Sequence, residues 1–364
     1  MVRDIPGGGE YAAVSRFKGF IRKNWFGIIS ICVSLFVMAF FIKAAGGFRS
    51  FVSAFGELDR VWLFLMFTCI AGFWLVDGFI LHFFIRVKYK GHKYARSVRT
   101  TMLGLLYSSL TPLAVGGQPI QIYDMASCGI DAGDAASFAT VKTILYQICL
   151  SAYAVTAMCF AFGFFRANVP GFGVFLGVAL GLNTAFTAFL VTISVSGAAA
   201  EKASRLISGL LGRLRIISKR QEFAETVVKQ IRLFNASLRV IYSMKGRLLA
   251  GFIFTVCQQT LYYCVPYCLY RSFGLSGQVF HMILSAQAVL TLITSFVPVS
   301  GGSGVAEGGF YLFFKMFFSE GALVPAVFIW RFTAYYLTIL TGGAIALYTV
   351  WEKKLKKHKL KEDL

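Results

Sequence analysis

The chain has 364 residues, of which 57% are hydrophobic and only 14% are charged, and its mean hydropathy is +0.69. Ordinary globular domains are about 45–50% apolar and about 25% charged, so this composition excludes a soluble enzyme, a disordered chain and a secreted disulfide scaffold. We therefore predict an all-α, polytopic membrane helical bundle. The net charge of +20 then identifies cytoplasmic segments rather than nucleic-acid binding, because Lys and Arg stay on the cytoplasmic side of a membrane.

Six apolar stretches are each long enough to cross about 30 Å of hydrocarbon as a helix, which takes about 20 residues. They are residues 25–44, 61–85, 136–164, 171–195, 248–270 and 322–350. Two further apolar stretches, 101–120 and 281–318, are interrupted by Pro and by paired Gly. The interrupting residues are Pro112, Gly116, Gly117 and Pro119 in the first and Pro298, Gly301, Gly302 and Gly304 in the second.

Four basic regions determine how these stretches cross the membrane. Lys and Arg are concentrated in the N-terminal residues, the 86–100 loop, the 201–247 segment and the tail 351–364. All four lie in the cytoplasm only if residues 101–135 enter and leave the membrane on the inner side and residues 281–318 on the outer side. The sequence therefore predicts six full spans and two re-entrant or broken-helix hairpins of opposite orientation, with both termini cytoplasmic.

The two interrupted stretches also share a short sequence echo. Ser109 to Pro112 precede Gly116-Gly117, and Ser295 to Pro298 precede Gly301-Gly302. The echo is either a coincidence among turn-forming residues or a sign of an inverted repeat, in which broken segments at corresponding positions mark a transport site.

We adopt the inverted-repeat organisation within a single membrane domain, 1–364. The first half, 1–200, contains the hairpin 101–135, and the second half, 248–350, contains the hairpin 281–318. Residues 201–247 form a basic amphipathic linker on the cytoplasmic side, since their apolar residues recur in steps of three and four. This linker either binds the anionic inner leaflet or packs under the bundle.

The glycine turns are the predicted functional sites. Non-helical backbone at membrane depth survives only when it is buried in protein or lines a hydrated cavity. A helix that starts after such a turn offers free N–H groups and a partial positive charge to an anion. The alternative is that the glycines only allow close helix packing. The residues concerned are Gly116, Gly117, Gln118, Pro119, Gly301, Gly302, Ser303 and Gly304.

Ionisable residues inside apolar stretches are the second group of candidates, because each is costly in hydrocarbon and usually faces a partner or a pathway. Lys142 and Arg331 lie ~12–14 Å along helices that each follow one hairpin, so both are expected near the bilayer midplane, where they could hand on a phosphate. The alternative is that they only neutralise Asp77 and Glu307. Secondary candidates for a lipid path are Asp77, Asp124, Gln258, Lys315 and Tyr335.

Two motifs give the chain a family resemblance. One is TPLAVGGQP at 111–119, followed by a helix with Ala139 to Lys142, and the other is Pro298 with GGSGVAEG at 301–308. With these motifs the chain resembles the transmembrane domain of the lysylphosphatidylglycerol synthetase/flippase family, which includes the multiple peptide resistance factors. The resemblance extends over nearly the whole chain.

The resemblance implies a lipid translocator of the bacterial plasma membrane. Such a protein moves anionic or lysylated phosphatidylglycerol between the inner and outer leaflets and thereby weakens the attack of cationic antimicrobial peptides. Two-part members of the family carry a separate soluble domain for lysyl transfer. This chain ends at Leu364 without such a domain, so we expect no aminoacyl transfer by this chain alone.

Two other hypotheses stay open: the membrane subunit of a phosphatidylglycerol lysyltransferase, and a secondary transporter of small solutes. The expected partners are a phospholipid, which is phosphatidylglycerol or its lysyl ester, and the anionic inner-leaflet surface, together with a separate soluble synthase or a second copy of the chain. Nucleic acid is not expected. No metal or other cofactor is expected either, because the four histidines are scattered: His82, His92, His281 and His358.

Overall fold

The computed structural model describes residues 58–195, 220–277 and 280–362 and three isolated positions, Phe36, Lys43 and Gly56. Apart from two of those positions, the predicted span 25–44 lies outside the described residues. The basic N-terminal residues and linker residues 201–219 lie outside them as well.

The described ranges contain helices and connecting turns and no strand. In chain order the helices are α1 (Arg60–Ile85), α2 (Tyr94–Leu110), α3 (Gly117–Ser127), α4 (Ala132–Asn168), α5 (Phe172–Val195), α6 (Arg220–Ser243), α7 (Lys245–Ser272), α8 (Phe280–Thr294), α9 (Val305–Phe314), α10 (Glu320–Arg331) and α11 (Leu337–Glu362).

The predicted all-α polytopic bundle is confirmed, and the chain is a multi-pass membrane protein. In the described part, five helical segments are long and apolar enough to cross a membrane. They match the predicted spans 61–85, 136–164, 171–195, 248–270 and 322–350, and they are Arg60–Ile85, Ala132–Asn168, Phe172–Val195, Lys245–Ser272 and Glu320–Glu352.

Helices α1 and α7 pack along each other at the centre of the bundle and share its most extensive helix contact. Asp59 begins α1 as its N-cap, and its carboxylate accepts a hydrogen bond from the Val61 N–H at 2.8 Å. The apolar core extends from these two helices to α4, α5 and the second hairpin. Each of the two central helices is followed directly by one broken hairpin.

The first hairpin consists of α2, a short 3₁₀ turn (Pro112–Ala114) and α3. Its left-handed residues are Leu113 (φ 53°) and Ala114 (φ 55°), whereas Gly116 has a helical φ of −70°. The sequence therefore identified the break correctly but assigned the turn to the wrong residues. Gly116 and Gly117 serve close packing instead, because a Cβ atom on Gly117 would overlap with the hydroxyl of Ser108 on α2.

The second hairpin consists of α8, a turn at Ser300–Gly302 and α9. Here glycine is required by the backbone itself, since Gly301, Gly302 and Gly304 have φ values of 61°, 63° and 86°. The two hairpins thus contain equivalent breaks that are built from different residues.

The tips of the two hairpins meet. The Pro112–Ala114 turn contacts the Ser300–Gly302 turn, and α2 also contacts the second turn. The Tyr335 hydroxyl strengthens this junction by donating a hydrogen bond to the Ser109 carbonyl at 3.2 Å.

Helix α6 is the described part of the predicted linker, and it packs on α4. Leu238 and Ile241 are fully buried, and the Gly133 N–H on α4 donates to the Gln230 Oε1 at 2.7 Å. From Gln230 onwards the linker therefore packs against α4 through its apolar face. Of the two alternatives left open by the sequence, membrane binding and packing under the bundle, this contact favours packing.

Candidate functional site

Two cavities lie beside the joined hairpin tips: Ala114 of the first turn lines one, and Gly301 of the second turn lines the other. The first cavity has a volume of about 220 Å³ and is enclosed mainly by α1, α2, α3 and α4. The second cavity has a volume of about 180 Å³ and is enclosed mainly by α7, α8 and α10. Most residues of each cavity come from one half of the chain, but Gln258 of the second half lines the first cavity and Ser109 of the first hairpin lines the second. The side chains used below are Asp77, Gln118, Gln121, Lys142, Tyr146 and Gln258 in the first cavity, and Tyr262, Gln287, Thr291, Trp330, Arg331 and Tyr335 in the second.

A buried ion pair lies in the wall of the first cavity. The Lys142 Nζ on α4 is 2.8 Å from the Asp77 Oδ2 on α1, and the Gln258 Nε2 on α7 donates to the Asp77 Oδ1 at 2.8 Å. These side chains come from three helices and are only 12% (Lys142) and 5% (Asp77) exposed. An ammonium group has three N–H donors, so Lys142 keeps donors for a ligand while it remains paired.

The first hairpin is joined to the wall of this cavity by a neutral hydrogen bond. The Gln118 Nε2 donates to the Thr143 Oγ1 on α4 at 2.8 Å, and Pro119 follows in the first turn of α3. The amide of Gln121 makes no hydrogen bond with another described residue. This cavity therefore presents one paired cation and amide groups to its interior.

A second ion pair lies in the wall of the second cavity and is more deeply buried. The Arg331 Nε is 2.9 Å from the Glu307 Oε1, and the two side chains are 5% and 0% exposed. The Arg331 Nη2 donates to the Gly301 carbonyl at 2.8 Å and to the Ser303 Oγ at 3.1 Å. Arg331 thus fixes the glycine turn of the second hairpin to α10.

Glu307 and Tyr335 complete this arrangement. The Glu307 Oε2 accepts the N–H of Gly304, the N-cap residue of α9, at 2.7 Å. The Arg331 guanidinium lies 4.0 Å from the centre of the Tyr335 ring. A π-helical turn at Phe332–Tyr336 follows Arg331 directly, and such turns are frequent at functional sites.

The two cavities repeat one sequence pattern. In each, a cation on the helix after the hairpin is followed four residues later by a Tyr that lines the same cavity: Lys142 with Tyr146, and Arg331 with Tyr335. Residues four apart lie on the same face of a helix. Both cations are paired with carboxylates, as the neutralisation alternative anticipated, and both also line a cavity.

Two predicted residues lie elsewhere. The Asp124 carboxylate on α3 is 3.0 Å from the Arg99 Nη2 and accepts from the Thr100 hydroxyl at 2.6 Å, because α2 brings both residues across the hairpin. Lys315 is exposed at the C-terminal end of α9. Neither residue lines one of the two cavities, and a role of Asp124 or Lys315 in a lipid path stays a prediction.

Several lining residues were missed from the sequence. Gln287 is a lone amide in the apolar helix α8, and polar residues in such helices are candidates for function. The equal spacing of Lys142 with Tyr146 and of Arg331 with Tyr335 was a further signal. Trp330 and Tyr262 had no signal that separates them from other aromatic residues of the spans.

We expect Gly301→Ala to destabilise the protein more than Gly302→Ala. Both residues have a left-handed φ, for which an added Cβ costs roughly 1–2 kcal/mol. Only at Gly301 would that Cβ also overlap with the Tyr335 ring, whereas at Gly302 the nearest atom is 3.6 Å away. Overpacking adds about 1–3 kcal/mol. Thermal unfolding in detergent measures this, and equal midpoints for the two variants would contradict the described turn.

Comparison with known proteins agrees with this architecture. The family described as "Lysylphosphatidylglycerol synthase TM region" matches residues 27–342. A UPF0104 membrane protein of Archaeoglobus fulgidus is 22% identical over 337 residues, which make up 92% of this chain and 100% of the relative. The match contains both hairpins and both cavities, so the chain belongs to the lysylphosphatidylglycerol synthase transmembrane-region family.

Proposed function

We propose that the protein translocates phospholipids, of the phosphatidylglycerol or lysylated phosphatidylglycerol type, between the two leaflets of a cell membrane. The observation that carries this proposal is the contact between the two hairpin tips, each of which lines a cavity with a buried ion pair in its wall, in a bundle of membrane-spanning helices. Membership of a family named after a lipid supports a phospholipid as the substrate.

A headgroup is the part of the lipid that needs such a path. A charged group loses its hydration in hydrocarbon at a cost of tens of kcal/mol by the Born estimate, whereas the acyl tails remain favourably in lipid. In this mechanism the headgroup exchanges water for the polar groups of the two cavities. The remaining donors of Lys142 bind the phosphate in the first cavity, and the glycine turn of the second hairpin lets the headgroup pass close to the backbone.

The biological consequence follows from the lipid that is moved. A lysylated lipid in the outer leaflet reduces the negative surface charge that attracts cationic peptides. We therefore propose a contribution to peptide resistance, with both termini of the chain in the cytoplasm.

Reconstitution into liposomes tests the proposed function. Vesicles of phosphatidylcholine with a trace of chain-labelled phosphatidylglycerol are treated with an impermeant quencher of the outer leaflet. We expect the protein to make the inner-leaflet label accessible faster than in empty vesicles. The same rate with and without protein, for phosphatidylglycerol and for its lysyl ester, would overturn the proposal.

A further inference from the structure

Besides the Arg331 Nε, which lies 2.9 Å from the Glu307 Oε1, the second cavity contains two buried polar atoms that the described part of the chain leaves without a hydrogen-bond partner. They are the Gln287 Oε1 on α8 and the Trp330 Nε1 on α10. Both residues line the cavity, and they are only 1% and 3% exposed. An unsatisfied buried donor or acceptor costs about 1–3 kcal/mol, so two of them in one cavity call for a ligand or for water.

The chemistry of the two atoms restricts the ligand. The indole N–H of Trp330 only donates, and the amide oxygen of Gln287 only accepts. A phosphate oxygen would satisfy the first atom alone, and an ammonium group would satisfy the second alone. A hydroxyl group both donates and accepts, so a ligand with hydroxyl groups satisfies both.

The other groups of the cavity favour the same ligand. The Tyr262 hydroxyl makes no hydrogen bond with another described residue, and so it can donate as well as accept. The hydroxyls of Thr291 and Thr294 donate to carbonyls of their own helix, each at 2.8 Å, and keep lone pairs for a ligand donor. The rings of Tyr262, Trp330 and Tyr335 supply apolar walls, as is usual in small-molecule sites.

The charge of the second cavity does not favour an anion. The Arg331 guanidinium is paired with the Glu307 carboxylate, and this pair has no net charge. Arg331 also donates hydrogen bonds to the Gly301 carbonyl and the Ser303 hydroxyl. The Lys142 ammonium in the first cavity is likewise paired, with Asp77, so the net charge does not distinguish the two cavities. They differ in the unpaired atoms of Gln287 and Trp330, which only the second cavity contains.

The size of the second cavity exceeds that of a single bound water. Its volume of about 180 Å³ is roughly six times the share of one water molecule in the liquid. Resting on the proposed function, we propose that the second cavity binds the hydroxyl groups of a polyol headgroup through Trp330 and Gln287, and so selects hydroxyl-bearing phospholipids for translocation.

Two lipids of equal charge and similar size test this proposal. Phosphatidylglycerol carries two headgroup hydroxyls, whereas phosphatidylpropanol carries none. In phosphatidylcholine vesicles we expect the wild-type protein to move phosphatidylglycerol about 10-fold faster or more. Trp330→Phe and Gln287→Met each remove one hydrogen bond and should slow phosphatidylglycerol about 3- to 10-fold, with phosphatidylpropanol unchanged.

Matched controls make the same chemical changes outside both cavities. The Trp74 Nε1 and the Gln147 Oε1 are also buried without a partner in the described structure, but neither residue lines either of the two cavities. Trp74→Phe and Gln147→Met should therefore leave the ratio of the two lipid rates unchanged. Equal changes of that ratio in the control and cavity variants would overturn the proposal.

The remaining outcomes separate this proposal from the one on which it rests. If the protein moves both lipids at the same rate, or if the cavity variants slow both equally, the cavity is merely hydrated and the polyol proposal fails while translocation stands. If no lipid moves, both proposals fail. The last measurement uses free glycerol. If the protein makes vesicles swell in glycerol but moves no lipid, the cavity binds a small solute, and the proposed headgroup site is overturned.

Discussion

We expect the Glu307→Gln variant to lose about 3–5 kcal/mol of stability and nearly all translocation activity. The glutamine still offers an oxygen to the Gly304 N–H, so the substitution removes mainly the negative charge beside Arg331. An uncompensated guanidinium then remains in a site where Glu307 and Arg331 are 0% and 5% exposed. Breaking a buried ion pair on one side only is destabilising by this amount. Thermal unfolding in detergent and the liposome assay measure the two effects.

A double variant separates stability from function at this pair. Glu307→Gln combined with Arg331→Met removes both charges, which is often neutral for folding. It should recover most of the unfolding temperature but not the translocation, because Arg331 also fixes the glycine turn through the Gly301 carbonyl. Translocation at the wild-type rate in the double variant would show that the pair is purely structural.

Asp134→Asn is the matched control. Asp134 is also fully buried and pairs with Lys88 at 2.6 Å, but it lines neither cavity. We expect this variant to be destabilised and to keep a wild-type translocation rate in vesicles at temperatures where it remains folded. A loss of translocation as large as that of Glu307→Gln would mean that the assay reports only instability.

The spans were predictable because the length of an apolar run is a local property. Residues 61–85 and 171–195 were predicted within one or two residues of α1 and α5, since about 20 apolar residues have few alternatives to a membrane helix. The hairpin breaks were predictable because Pro112 and the pair Gly301-Gly302 lie in the two turns. Such residues do not always end a helix, since Pro266 lies inside α7 and Gly342-Gly343 inside α11.

The details of the site were not predictable, because they depend on the packing of distant segments. Leu113 and Ala114 adopt left-handed backbone in the first turn, although neither residue favours it, so the surrounding structure imposes it. Ion pairs between residues that are distant in sequence were not predictable either. Asp77 and Lys142 are 65 positions apart, and the sequence alone could not exclude that Asp124 or Lys315 shared the site.

The second large effect on translocation is expected in the first cavity. There, Lys142 either binds a phosphate or only neutralises Asp77. We expect the double variant Asp77→Asn with Lys142→Met to fold like the wild type and to translocate anionic phospholipid at least about 100-fold more slowly. Two hydrogen bonds from a charged donor contribute about 1.5–3 kcal/mol each, which corresponds to a factor of on the order of 100 or more.

The single variants and a conservative one decide between these two roles of Lys142. Lys142→Met alone leaves the Asp77 carboxylate with only the Gln258 amide as a partner, so it should be less stable than the double variant. Lys142→Arg keeps both a charge and donors, and should retain most of the translocation. If the lysine only neutralises Asp77, the double variant instead restores the wild-type rate, because no charge is then left to neutralise. Rates for phosphatidylglycerol in liposomes, beside unfolding temperatures of the same preparations, distinguish the two roles.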